Sequence, residues 1–411
     1  MTTDLPHVVE EPSFGIDRPP RFWGPRFGWP FAASAGVALV SAVMLLVNAF
    51  TPVEQVVTVR GIMASKEDFF NDEEVQDLLL KHHIRVEVTN RGSGEVAHEV
   101  LDQKTQHYDF AFPSGQPAAD LITNERRRRR QYTRTIRLFT SPIVLATYRE
   151  YAETLVGNDV ADRQSGGPGG TLYYTLDMAE FIELGKRGKT WNDIGIGAYR
   201  NPRGVSITNG NRVLAHTSGV CRSNSGTTYL GLVAFVDNDH EPAQTEADVD
   251  RIAREIQPLI TAIGMPESGL WQAYITPEGK SQGPIVVVYE HQFFAYQQSH
   301  RHRTGRTDTE RVLLYPEQEF QTDPEYISLR PGAGERLGRL LLTDPQLRRR
   351  MMELGFRVFD DTDAAGTRRL FDLLVGRGVP RPEERTDYTR AELPELNLLQ
   401  RLVDAVGRCS Q

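Results

Sequence analysis

The sequence predicts an α/β chain with mainly parallel sheets, preceded by one transmembrane helix. Two observations carry this expectation. Residues 30–50 form an uncharged, apolar run, and from residue 56 onward short β-branched runs alternate with helical patterns. The chain has 411 residues, enough for two or three domains, and a net charge of −8. That balance gives no reason to expect a nucleic-acid partner, whose phosphates require a clustered positive face. "RRRRR" (126–130) reads as a solvated helix end.

No charged residue lies between Arg26 and Glu54, and the run "PFAASAGVALVSAVMLLVNAF" is apolar apart from Ser34, Ser41 and Asn48. About 20 apolar residues at ~1.5 Å each cross a hydrocarbon core of roughly 30 Å. Arg18, Arg21 and Arg26 precede the run, and the first positive charge after it is Arg60. The positive-inside rule therefore assigns 1–29 as a cytoplasmic tail, 30–52 as a cell-membrane anchor and 55–411 as extracytoplasmic. A cleaved signal peptide ending near "VNA" (47–49) is the rival; the long polar leader and the length of the run favour a retained anchor.

Beyond the anchor, "VVTVRGIM" (56–63) is β-branched, "DEEVQDLLLKHH" (72–83) carries a helical apolar face, and "IRVEVT" (84–89) alternates as a half-buried strand does. "GSGEVAHEVLDQ" (92–103) opens a second helix from a glycine turn, and "YDFAFP" (108–113) is a third strand. This order implies a parallel sheet with helices on both faces. "IRLFTSPIVLATY" (136–148) reads as a strand pair broken at Pro142, and 158–170 as a loop too rich in glycine and polar groups to pack. A helix over 176–188, a strand over 204–208, a helix from about Ser225 and strands over 283–290 and 311–316 follow. From about 332 the chain is mostly helical. "QQSHRHRTGR" (297–306) reads as a polar loop, with His300 and His302 solvated.

In parallel sheets, ligands bind beyond the carboxyl ends of the strands, where loops meet helix N-termini. Three segments fit that place: "GIMASKEDFF" (61–70) with Ser65, "RGSGE" (91–95) with Ser93, and "CRSNSGTTYLG" (221–231). The first four N–H groups of a helix lack internal partners and, with the helix dipole, favour an anion or strong acceptor. Glycines such as Gly226 let a ligand approach the backbone. Plain helix capping accounts for Ser65 or Ser93 taken singly. Residues 223–228 hold more polar groups than one cap requires.

Taken together, "GIMASKEDFF", "GSG", "YDFAFPS", the returning "VVVYE" and the tail "LLTDPQLRRRMMELGFR" (341–357) resemble the type 2 periplasmic-binding-protein (extracellular solute-binding) superfamily, as a membrane-anchored bacterial member. "RSNSGTT" (222–228) resembles the "RSDGSGTT" segment of phosphate-binding proteins, but is one residue shorter and lacks the aspartate, so phosphate itself does not follow. The resemblance implies two lobes, 55–145 with 285–411 and 146–284, joined by two crossovers and closing on a solute by hinge motion. It implies ligand contacts from Ser65, Ser93, Arg222, Ser223, Asn224, Ser225, Gly226 and Thr227, with Glu290 at the return crossover as hinge, site or solvent-facing strand end. It implies no cofactor and no catalysis, with a small polar or anionic solute as ligand and a membrane transporter or sensor as partner.

Two alternatives stand beside it, which makes three hypotheses in all. The two cysteines, Cys221 and Cys409, bridge, or Cys221 stays free as a nucleophile with His216 as its base. No G-x-S-x-G, H-E-x-x-H or P-loop pattern supports an enzyme of another kind. A non-catalytic envelope scaffold that keeps the fold without a solute is the third.

Overall fold

The computed structural model describes residues 55–409 apart from 65–66, 103–106, 166–169, 202, 267–268, 323, 361–362 and 385–388. The expected tail (1–29), the anchor (30–52) and Ser65 lie outside the described residues. Among the described residues, no helix is long and apolar enough to cross a membrane.

In chain order the main elements are Val57–Met63 (β1), Glu73–Lys81 (α1), Ile84–Asn90 (β2), Ser93–Leu101 (α2), Phe110–Phe112 (β3), Gln116–Arg128 (α3), Arg134–Arg137 (β4) and Phe139–Tyr148 (β5). Arg149–Val156 (α4), Ala161–Arg163 (β6), Tyr173–Leu176 (β7), Met178–Lys186 (α5), Asn224–Asp237 (α6) and Glu246–Thr261 (α7) follow. The last stretch contains Ile285–Tyr289 (β8), Glu290–Thr304 (α8), Arg311–Pro316 (β9), Gln321–Thr322 (β10), Glu325–Ser328 (β11), Ala333–Thr343 (α9), Pro345–Glu353 (α10), Arg357–Val358 (β12), Asp363–Gly376 (α11) and Leu396–Gly407 (α12).

Two sheets organise these elements. The first has the order β2-β1-β3-β11-β4, with β1 parallel to β2 and β3, and β11 antiparallel to β3 and β4. Its core is aromatic: Phe110 stacks on Tyr326 at 4.8 Å and Phe139 lies 4.2 Å from Phe356. Gly61 on β1 is small because a Cβ there would overlap the Phe110 ring. The second sheet is built on β5, buried along its whole length. Its inner half lies between β8 and β9, both antiparallel, and its first residues pair with β10 and β12. Beyond β9 come β7, parallel, and β6, antiparallel.

The sheets are therefore mixed rather than mainly parallel. The parallel pairs sit where a helix makes the crossover; the remaining strands return through short turns or enter from the other sheet, which sets them antiparallel. The chain changes sheets at the buried Leu138, between β10 and β11, and again at β12. Residues 285–322 thus belong to the second sheet, and α11 and α12 pack into its core.

Four local expectations are corrected. The strand break falls at Leu138, and β5 runs through Pro142, just outside its pairing with β8 over Ile143–Thr147, where a missing N–H is tolerated. The segment 158–170 contains β6, and Val160 just before it and Ala161 at its start pack into the core. Residues 204–208 form no strand, only an isolated bridge of Ser206 to Arg200. "QQSHRHRTGR" lies on α8, because Phe293, Phe294, Gln297 and Gln298 bury one helical face that its polar composition conceals.

Glu290, expected as hinge, site or solvent-facing strand end, is fully buried at the start of α8. Arg357 donates to it from Nε at 2.7 Å and Nη2 at 2.6 Å, and the Tyr315 hydroxyl donates at 2.7 Å. Burial works against the Arg357 charge, but Glu290 and Glu319 outweigh it and hold the guanidinium pKa above its ordinary value. Removing one member leaves an uncompensated buried charge. We expect Arg357→Leu to lower unfolding free energy by about 3–5 kcal/mol in urea denaturation.

Asp308 supplies a second prediction. Burial opposes its charge, but bonds from Tyr296 Oη (2.7 Å), Glu310 N (2.8 Å) and Arg311 Nη1 (2.9 Å) prevail and lower its pKa below 3.8. The unfolded chain takes up this proton at higher pH than the folded one, so the stabilisation is full above 3.8 and is lost as pH falls through the folded value. Asp308→Asn should flatten the acid limb of a stability–pH profile below about pH 4.

Candidate functional site

Because β1, β2 and β3 are parallel, the loops after them emerge on one side of the first sheet. Those after β2 and β3 lead into α2 at Ser93 and α3 at Gln116. From the second sheet's side, residues 221–223 lead into α6, whose residues Thr228–Val236 are all buried. A helix apolar on every side has neighbours on every side. Here β8, α5, α7 and α12 supply them. The three helix starts meet at a cavity of about 950 Å³.

Ser93, Arg222, Ser223, Asn224 and Thr227 line this cavity. Ser225, Gly226 and Glu290 are not among its lining residues. Ser223 caps α6 by accepting from Gly226 N, and its hydroxyl lies 2.9 Å from that of Ser225. Thr227 Oγ1 donates to Val220 O at 2.8 Å. Gly226 serves packing rather than ligand approach, since a Cβ there would overlap the Ser218 carbonyl. Ser93 is buried and accepts from Ser114 N at 3.2 Å. Asp120, on α3 at the rim, has its pKa raised by burial.

The loops of the two sides touch. Asn224 Nδ2 donates to Tyr289 Oη at 2.9 Å and to Ser114 O at 3.3 Å, and Arg222 Nη2 lies 3.4 Å from Glu95 Oε1. A Cβ on Gly92 would overlap the Arg222 carbonyl oxygen, and one on Gly115 the Asn224 side chain. The cleft is closed at this point, and part of the hydrogen-bonding capacity expected for a ligand joins the two sides directly. Chemically, the arrangement can bind and enclose a polar group.

Two parts of the site escaped the sequence reading. One is the α3 start, whose signal was present in "PSGQP" (113–117), a turn with Pro117 in the first helical turn. The other is the C-terminal stretch from Ala391 to Val403, which lines the cavity beside α2 and α3. Cys221 and Cys409 are bridged, with Cα atoms 5.6 Å apart across a separation of 188 residues. The bridge consumes the thiol, so the reading of Cys221 as a nucleophile served by His216 is overturned. Burial lowers the His216 pKa. Among the described residues, no group of three or more His, Cys, Asp or Glu is gathered as a metal site requires.

Gly92 has φ −62°, a conformation alanine adopts freely, so Gly92→Ala changes only the contact with Arg222. The variant should stay folded, while amide exchange across 222–228, read by mass spectrometry, accelerates as the loops separate.

No family model and no curated protein matches the sequence. Solved structures do. The iron-bound HitA of Pseudomonas aeruginosa is similar over 86% of this chain and 98% of its own, at 8% identity and a TM-score of 0.48. The sulfate-binding protein SubI of Mycobacterium tuberculosis is similar over 83% and 95%, at 13% identity and a TM-score of 0.41. The substrate-binding protein of an ABC transporter from Agrobacterium tumefaciens is similar over 87% and 96%, at 12% identity and a TM-score of 0.49. Other solved structures that resemble this chain over most of its length include a periplasmic binding protein, AfuA of Actinobacillus pleuropneumoniae.

Proposed function

We propose that the chain is a non-catalytic, membrane-anchored extracytoplasmic solute-binding protein that clamps a small polar or anionic solute between its two sheets, for delivery to a transporter or for sensing. The observation that carries this reading is the convergence of helix starts from both sides on one cavity of about 950 Å³. Ser93, Arg222, Ser223, Asn224 and Thr227 face it and are the proposed ligand contacts. Ser225 supports Ser223, and Ser65 is carried over from the sequence. The short passages between the sheets at Leu138 and between β10 and β11 suit a hinge. The disulfide supports an oxidising, extracytoplasmic compartment, and the apolar run at 30–52 supports the anchor.

A scaffold without a solute is the second reading. It is favoured by one observation: Asn224, held by Tyr289 on its own side, already bonds Ser114 on the other. A thermal-shift screen of the full-length chain against oxyanions, carboxylates, sugars, amino acids and short peptides separates the two. For a solute receptor, at least one class raises the melting temperature in a saturable way, as ligand-linked stabilisation requires. Asn224→Ala should reduce that shift. No response from any class, with the protein folded, selects the scaffold.

A further inference from the structure

A second cavity, of about 730 Å³, shares no lining residue with the first. One wall is α8, where Gln292, Tyr296, Ser299 and Arg303 follow at i, i+4, i+7 and i+11. They form a single stripe about 16 Å long. The short helix Leu270–Ile275 supplies a second wall through Trp271 and Ile275, which lie one turn apart. Leu354 and Phe356, ahead of β12, complete the lining; Phe356 stacks on His291 at 4.1 Å, beside Gln292.

Trp271, Ile275, Tyr296 and Leu354 are only half-buried, so each keeps surface to offer a ligand. The Trp271 and Tyr296 rings stand edge to face, 6.0 Å apart at 86°. A third ring in that corner meets one by its face and the other by its edge, arrangements that aromatic rings favour. The polar groups along the stripe are donors. Gln292 spends its Oε1 on Tyr289 N at 3.0 Å, which leaves its amide N–H groups. Arg303 is exposed, and among the described residues no hydrogen bond or ion pair holds its guanidinium. No aspartate or glutamate lines the cavity. Asp308, which accepts from Tyr296 Oη at 2.7 Å, is itself buried and bound to Arg311.

We propose that this groove is a second binding site, for a small aromatic carboxylate whose ring enters the corner of Trp271 and Tyr296 and whose carboxylate reaches Ser299 and Arg303. Arginine matches a carboxylate with two parallel N–H···O bonds. Ser299 stands one turn beyond Tyr296, so a spacer of about two carbons covers the rise of roughly 5 Å. The volume is that of sites for small organic molecules, and an aromatic lining with few polar groups is their usual composition. A bare anion leaves the corner empty, and an amine meets a like charge at Arg303. Because no lining residue is shared, occupancy here does not depend on the solute-binding reading of the first cavity.

The test is calorimetric titration of the full-length, disulfide-intact chain with 3-phenylpropanoate, beside 3-phenylpropanamide, 3-phenylpropylamine and acetate. We expect saturable binding of the carboxylate and about ten-fold weaker binding of the amide, the factor for one charge-assisted hydrogen bond. Arg303→Gln should weaken the carboxylate about ten-fold and leave the amide unchanged. Ala295 is a half-buried lining residue, and Ala295→Gln keeps a good helix former while filling the groove, so it should abolish binding of both. Val205→Gln, at an exposed apolar residue outside the groove, should alter neither. Equal affinity for the amide, a preference for the amine, or no loss in Arg303→Gln overturns the assigned head group. Acetate bound as tightly as 3-phenylpropanoate overturns the aromatic corner. Binding kept in Ala295→Gln, or lost in Asn224→Ala, moves the probe elsewhere and overturns the site. A dimer of the ligand-free chain in ultracentrifugation, dissolved by Ala295→Gln, gives the groove to a second copy and overturns it too. No binding by any probe overturns the second site and leaves the solute-binding reading, tested by its own screen, standing.

Discussion

The joint between the two sheets depends on one buried ion pair. Glu290 opens α8 at the end of β8, and Arg357 is on β12, the last point at which the chain changes sheets. Their two bonds, with Tyr315 donating to the same carboxylate, fasten β12 against the second sheet. Two charges withdrawn from water hold only with near-complete partnering. Glu319 provides further compensation 3.4 Å from Arg357. The pair therefore fixes the relation between α8, β9 and β12, and through β12 the first residues of β5.

Above that joint, the cleft is shaped by what its loops lack. Gly92 and Gly115 have no side chain where the loops of the first sheet meet residues 222 and 224. The Arg222 carbonyl and the Asn224 side chain therefore come close to these loops, and Asn224 reaches both Ser114 and Tyr289. The same residues that close the two sides stand on the wall of the cavity. The C-terminal helix α12 buries Leu398, Leu399, Leu402, Val403 and Val406 in the core of the second sheet and pairs Arg401 with Asp250.

Much of this was legible in the residues. The alternation from Val57 to Phe112 gave three strands and two helices in place, because hydrophobic period and glycine turns are local properties. The start of α6 near Ser225 was readable for the same reason, with its cap falling at Ser223. The helix at 297–304 was not, since Gln297 and Gln298 are buried polar residues satisfied by Asp308 and Glu353, partners distant in sequence. Gly226 was read as room for a ligand; only the fold shows that Ser218 takes that room. Glu290 looked like a strand end because its partner, Arg357, is 67 residues away.

By itself, the sequence determined the local elements, the apolar run at 30–50 and the concentration of cap and hydroxyl residues at 222–228. These follow from spacing and side-chain type along a continuous stretch of chain. The tertiary structure alone decided that the sheets are mixed, that β8 and β9 flank β5, that Cys221 meets Cys409, and that the stretch from Ala391 to Val403 lines the same cavity as Ser93 and Asn224. Each is a pairing between segments far apart in the chain. Such pairings are set by which buried surfaces fit together, and no local pattern encodes them.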